Sequence, residues 1–300
     1  MRAQIEAELG RAAPGLLHDH AVAHYLAAFD ALPPAAPYHH VPAAARRICD
    51  AIAARVGADA LEAYQRLAIL TLVERAWATP TRLTAELAAL RAAHLARIVG
   101  AMTSPRKGFY RHGNDLFAKD FAVCRGKLVP AGVELVDLHS GVGRRTLLGG
   151  GIAQVLPGLA FFLGRAGGFK PFYEVHFDRR LIGDFDAAGY VTLYLRLARQ
   201  MARDPAIRGV VSSSWWHDPA LARISPELAF IGYHPENAGA KLLRIGENSA
   251  ATADALRFAP TRAALHKRGE YRPQVWLLAW ARRDILAWEK RQRKAHLDGV

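Results

Sequence analysis

Between Lys170 and His217 the chain changes its periodicity twice, and this limits the fold more than any other stretch. Lys170-Pro-Phe-Tyr-Glu-Val-His-Phe-Asp178 alternates as a strand does. Tyr173, Val175 and Phe177 fall on one face, with Glu174, His176 and Asp178 on the other. A polar connection, Arg179 to Asp186, leads into a helix predicted over Ala187 to Arg203. Its Tyr190, Tyr194, Leu197 and Met201 recur at helical spacing and are expected inside, and Arg196, Arg199 and Arg203 form a basic stripe on a solvated face. A second strand, Gly209 to Trp216, follows and ends at His217-Asp218-Pro219. A strand, a crossover helix and a strand form a right-handed unit with the two strands parallel.

The rest of the chain is read around that unit. Residues 1–103 predict a helical domain, with helices over Ala3 to Ala12, His18 to Leu32, Val41 to Val56, Ala58 to Ala78 and Thr81 to Val99. Residues 104–300 predict a second, α/β (α+β) domain. It is entered through the turn-rich loop Ser104 to Asp115, whose Arg111, His112, Asn114 and Asp115 are candidate site residues. Phe121 to Leu128 and Gly132 to Leu138 read as a hairpin. Gly149 to Leu163 is the longest apolar stretch, too short and too rich in glycine and proline for a membrane span, and reads as a buried helix. Beyond the central unit, Lys241 to Ile245 and Gln274 to Trp280 read as strands. Ala250 to Lys267 is helical with a break near Pro260, and a closing helix starts at Asp284.

Charge and cysteine usage narrow the function. The formal net charge is +13, a field that attracts anions such as nucleotide phosphates, head groups or an acidic partner protein. Its cations are dispersed, with no like-charged block, so a nucleic-acid tail is not expected. Two cysteines, Cys49 and Cys124, support neither a disulfide framework nor a cysteine zinc site. The first residues carry acids and lack an apolar core, so a cytoplasmic protein is expected.

Glu174, His176 and Asp178 form the sharpest group. On a cleft they supply a general base oriented by a carboxylate; on an open face they are merely solvated. His176 and Asp178 with His234 also have the composition of a two-histidine, one-carboxylate iron set, and His20 and His24 have a spacing that can hold a metal on a helix. The iron set is usually held in a β jelly roll, whereas a long helix separates these ligands, and His20 and His24 lack a matching carboxylate, so no metal is expected. Ser212, Ser213 and Ser214 lack the Gly-x-Ser-x-Gly elbow of a serine hydrolase. With Trp215 and Trp216, this polar strand end, Ser213 included, suits a ligand cleft; the alternative is that the two rings belong to the core. Ser140-Gly-Val-Gly-Arg-Arg-Thr146 is a glycine-rich turn that can offer N–H groups to an anion, with Arg144 and Arg145 adding charge.

In element order, the latter two-thirds resembles the GNAT (N-acetyltransferase-like) architecture: a hairpin, a strand, a cofactor-binding turn, a helix, a second strand, a further helix and two closing strands. In that family a turn of the form Gln/Arg-x-x-Gly-x-Gly/Ala cradles the pyrophosphate of acyl-CoA. Here Arg180 and Gly183 occupy the matching positions, Phe185 stands where the family has a small residue, and Asp184 adds a negative charge. The resemblance implies an N-acyltransferase. Its donor would be acyl-CoA or an acyl carrier protein, whose acidic surface suits the basic chain, and its acceptor a small-molecule amine. Glu174, His176 or Asp178 would be the base, and Arg180, Gly183, Arg144, Arg145, Ser213 and Trp216 would bind. The alternative is a non-catalytic module that binds an anionic ligand or an acidic partner through its arginines. The chain also resembles uncharacterised bacterial proteins of similar length.

Overall fold

The alanine- and leucine-rich first third forms helices, and the β-branched and aromatic runs further on form a sheet, giving a mixed α+β protein. A computed structural model describes residues 1–298. It divides into two compact units, Met1–Pro130 and Ala131–Val300, so the division lies at Pro130, well past the change of periodicity at Thr103.

The first unit holds α1 (Arg2–Ala12), α2 (Leu16–Asp19), α3 (Val22–Asp30), α4 (Ala43–Ala78), α5 (Ala85–Met102), α6 (Asp115–Cys124) and the short strand β1 (Leu128–Pro130). Gly57, at φ 84°, interrupts α4 between the two helices predicted there. Tyr25, Phe29, Tyr64, Phe117 and Phe121 form an aromatic core, with Phe29 and Phe121 ring centroids 4.8 Å apart. Phe121 is helical here, which corrects the predicted strand. Asn114 caps α6 by accepting from Leu116 N and Phe117 N, and Phe117, Phe121 and Cys124 then follow at helical spacing. His20 falls between α2 and α3, so it shares no helix with His24.

The second unit holds β2 (Glu134–Ser140), α7 (Ile152–Leu159), β3 (Phe172–Phe177), α8 (Ala187–Arg203), β4 (Gly209–Ser214), α9 (Leu221–Ile224), α10 (Phe230–Asn237), β5 (Lys241–Gly246), α11 (Ser249–Arg257), α12 (Pro260–Lys267), β6 (Val275–Ala281) and α13 (Arg282–Asp298). Its strands lie in the order β2-β3-β4-β6-β5. β3 and β4 are parallel, joined by α8; the other neighbours are antiparallel. One face carries Tyr173, Val210 and Trp280 against α8 and α13, with Trp280 centroids 5.3 Å from both Tyr194 and Trp288. As predicted, Tyr190, Tyr194, Leu197 and Met201 are the buried side of α8. The opposite face packs Phe172, Val211, Leu243 and Leu277 against Leu147, Phe161 and Phe162. The 149–163 segment corrects a second expectation. Phe161 and Phe162 are buried, but Ile152, Leu156 and Leu163 stand in solvent. Among the described residues, no helix is long and apolar enough to cross a membrane.

Candidate functional site

Register places an opening between the two parallel strands. Their ladder pairs Tyr173 with Val210, Glu174 with Val211 and Val175 with Ser212, and runs no further among the described residues. Each strand continues on its outer partner: Phe177 still pairs with Glu134 of β2, and Ser214 with Trp276 of β6. The sheet therefore stays paired at its sides while its middle parts after Val175 and Ser212.

The parting is walled by aromatic rings. Trp216 meets Phe177 edge-on at 4.8 Å and Phe185 at 5.1 Å, and Phe185 in turn meets Phe230 at 5.7 Å. A cleft of about 740 Å³ opens beside them, within the usual size of small-molecule sites. Ile224, Leu228 and Phe258 extend its apolar wall; Arg179, Arg257 and Arg262 supply cations, and Glu227 and Asp254 two carboxylates, Glu227 lying 4.0 Å from Arg262. Arg262 is fixed in place. Its guanidinium lies over the Trp215 ring at 4.8 Å and donates to Ser225 Oγ and the Ala255 carbonyl, each at 2.7 Å. Trp215 Nε1 donates to Asp254 at 3.0 Å. A charged rim over an apolar, aromatic floor suits a ligand with an apolar body and an anionic end.

The predicted residues separate into groups. Glu174, His176 and Ser213 share one sheet face, since Glu174 is level with Val211 and side chains alternate. Ser140 Oγ donates to Glu174 at 2.5 Å, and His176 Nε2 lies 3.8 Å from the same carboxylate, close enough for charge coupling but too far for a hydrogen bond. Both side chains keep some solvent access, at 27% for Glu174 and 19% for His176. Trp216 lines the cleft.

The other assignments need correction. Asp178 is fully buried, caps the turn at Arg180 N, and accepts from Arg180 Nε at 2.9 Å and Nη2 at 2.6 Å. It is the counter-ion of Arg180, and its lone pairs are engaged there instead of at an acceptor. Arg180 is in turn committed to Asp178. Gly183 is exposed, with nothing within 4 Å of a Cβ placed there, so the turn does not require a glycine at that position. Gly189 is the one that matters: a Cβ there would lie 1.9 Å from the Asp184 carbonyl oxygen. The start of α8 is already capped, because Asp186 accepts from Gly189 N at 2.8 Å. Arg144 and Arg145 are exposed on a 3₁₀ turn and do not line the cleft. The glycine of that turn serves packing: a Cβ on Gly149 would lie 2.3 Å from the Arg244 carbonyl oxygen of β5.

The loop candidates also hold structural posts. Arg111 pairs with Glu62 at 2.7 Å, His112 bonds Tyr25, and Asp115 bonds Tyr38 and Lys119. His234 packs on Trp288, and among the described residues no three His, Cys, Asp or Glu side chains stand where they could hold a metal.

His217, just past the aromatic wall, is buried, and burial pushes its pKa down to about 4, so it is neutral. Sequence reading overlooked Phe177, Phe185, Arg179, Arg257 and Arg262 as cleft residues. Phe185 had a local signal, as the bulky departure from the resembled motif. The arginines of α11 and α12 had none, since only folding brings them to the end of β4. Comparison with family models, curated proteins and solved structures finds no match to this chain.

Proposed function

We propose that the second unit is a GNAT-like N-acyltransferase, taking an acyl group from acyl-CoA or an acyl carrier protein to an amine. One observation carries the reading: two parallel strands joined by a crossover helix part at Val175 and Ser212, beside an aromatic cleft with a cationic rim. The strand order and the antiparallel return of β6 against β4 support the same resemblance.

The chemistry asks little of the protein. The amine nitrogen attacks the thioester carbonyl, the C–N bond forms as the C–S bond breaks, and the donor leaves as a thiol. A base must take one proton from the amine. Glu174 and His176 are the candidates for that role: they lie on the strand face opposite Phe177 and do not line the cleft itself, but both retain solvent access beside the parting, and the Glu174 carboxylate favours the imidazolium that proton transfer would create. The apolar cleft would hold the acyl group or the apolar part of its carrier, and Arg179 and Arg257 the anionic part. The capped start of α8 favours phosphate contact through these arginines over the helix N–H groups.

The test is thiol release from a panel of acyl-CoA and acyl carrier protein donors with amine acceptors. Glu174→Gln and His176→Ala should fold, and at least one should lower turnover by about 10²- to 10⁴-fold while donor affinity is kept. Trp216→Ala should weaken donor binding. Donor binding in calorimetry without any turnover would instead support the second reading, a non-catalytic module for an anionic ligand.

A further inference from the structure

From Leu147 to Gly164 the chain carries a single polar side chain, Gln154. A segment that apolar would be expected to bury its apolar side chains. The arrangement here is the reverse. Gln154 turns inward, donating from Nε2 to the carbonyls of Thr146 (2.9 Å) and Arg244 (3.0 Å), while its Oε1 accepts from Arg244 N at 2.7 Å. Leu148, Ile152, Leu156 and Leu163 project outward at 65%, 91%, 76% and 63% exposure. Clustered exposed apolar side chains mark a surface that meets something other than water.

Charge identifies the occupant. No Asp or Glu occurs from Leu138 to Tyr173. Arg144, Arg145 and Lys170 flank the strip, are exposed, and have no ion-pair partner among the described residues, whereas Arg165 is held by Asp284 at 2.7 Å. A second copy packed face to face would set these cations against each other, with no acid of the segment itself to separate them. An anionic lipid surface accepts both features, taking the leucines and isoleucine into the acyl boundary and the cations at its head groups. We propose that residues 144–170 dock this protein on an anionic membrane surface, lying in the interface without crossing it.

The full chain should float with vesicles of phosphatidylcholine and phosphatidylglycerol, much less with phosphatidylcholine alone, and less as salt is raised. Ile152→Asp combined with Leu156→Asp should weaken partitioning by at least about tenfold per residue. Arg144→Glu with Arg145→Glu should weaken it about fivefold per residue. Both pairs alter exposed side chains, so circular dichroism should stay that of the wild type. Trp216→Ala should leave flotation unchanged, which separates surface docking from capture of a lipid chain in the cleft. Failure to float with anionic vesicles, or flotation undiminished in both double variants, overturns the proposal. So does a wild-type dimer that the Ile152 and Leu156 variant turns into a monomer, since the face would then join two copies.

Discussion

Glu174 lies within β3 and Asp178 just past its end, both carboxylates, yet their surroundings give them opposite roles. Asp178 is closed off by Arg180, whereas Glu174 retains access and a neighbouring imidazole. Removing one partner of a buried pair strands the other. Asp178→Asn is therefore expected to cost about 3 kcal/mol in urea unfolding, whereas Glu174→Gln should cost far less. Equal costs would place Glu174 in the structural frame as well. His217 predicts a pH dependence. Neither of its ring nitrogens has a hydrogen-bond partner among the described residues, and it titrates near 4 when folded against an ordinary 6.5. Between those values the unfolded chain takes up a proton that the folded chain refuses. Stability is thus complete above pH 6.5 and falls as pH drops toward 4, by up to about 3 kcal/mol from this group. His217→Leu should flatten that window in pH-dependent unfolding; an unchanged slope would assign the loss to other groups.

At the scale of elements, the turn from β3 into α8 is the most constrained connection around the cleft. It is pinned by Asp178 at one end, by Asp186 at the other, and by the contact between Gly189 and the Asp184 carbonyl. Asp186→Ala should cost about 1 kcal/mol as a lost cap. Gly189→Ala is predicted to be more severe, because its methyl group meets backbone and cannot be accommodated by a side-chain rotation. The turn must shift, carrying Phe185 away from Trp216. Calorimetry of donor binding, alongside thermal unfolding, checks this. Donor affinity unchanged in a folded Gly189→Ala variant would remove the turn from the site.

Across the whole molecule, the +13 charge acts at a distance that no single contact reaches. If the ligand is an anionic donor or an acidic carrier protein, its association rate should fall steeply as salt rises through the physiological range, with dissociation less affected. Stopped-flow association at several salt concentrations measures this. A salt-independent rate would show that the field is unrelated to the ligand. The apolar strip on α7 and the cationic rim of the cleft lie on the same unit, so lipid docking and donor binding should both weaken with salt, but through different variants.

Local order was legible in the sequence wherever one period dominated. The alternation from Phe172 to Phe177 and the helical spacing from Ala187 to Arg203 became β3 and α8, because side-chain direction along a strand or helix is fixed by the backbone itself. Gly57 and the break near Pro260 acted through their own backbones and were equally readable. The same local rules misplaced Phe121, whose helix is started by the Asn114 cap, and buried Ile152 and Leu156, which face outward because Gln154 is drawn to the backbone of β5. Pairing was beyond them too. Whether Asp178 or Glu174 stays available depends on Arg180 folding back and on Ser140 arriving from β2. The cleft depends on where a ladder ends and on arginines from helices more than forty residues further along the chain. The sequence determined those elements in which one period dominated, since that periodicity is a property of the local backbone. Tertiary structure alone decided which charges are neutralised and where apolar surface stays open, since burial and pairing are set by neighbours distant along the chain.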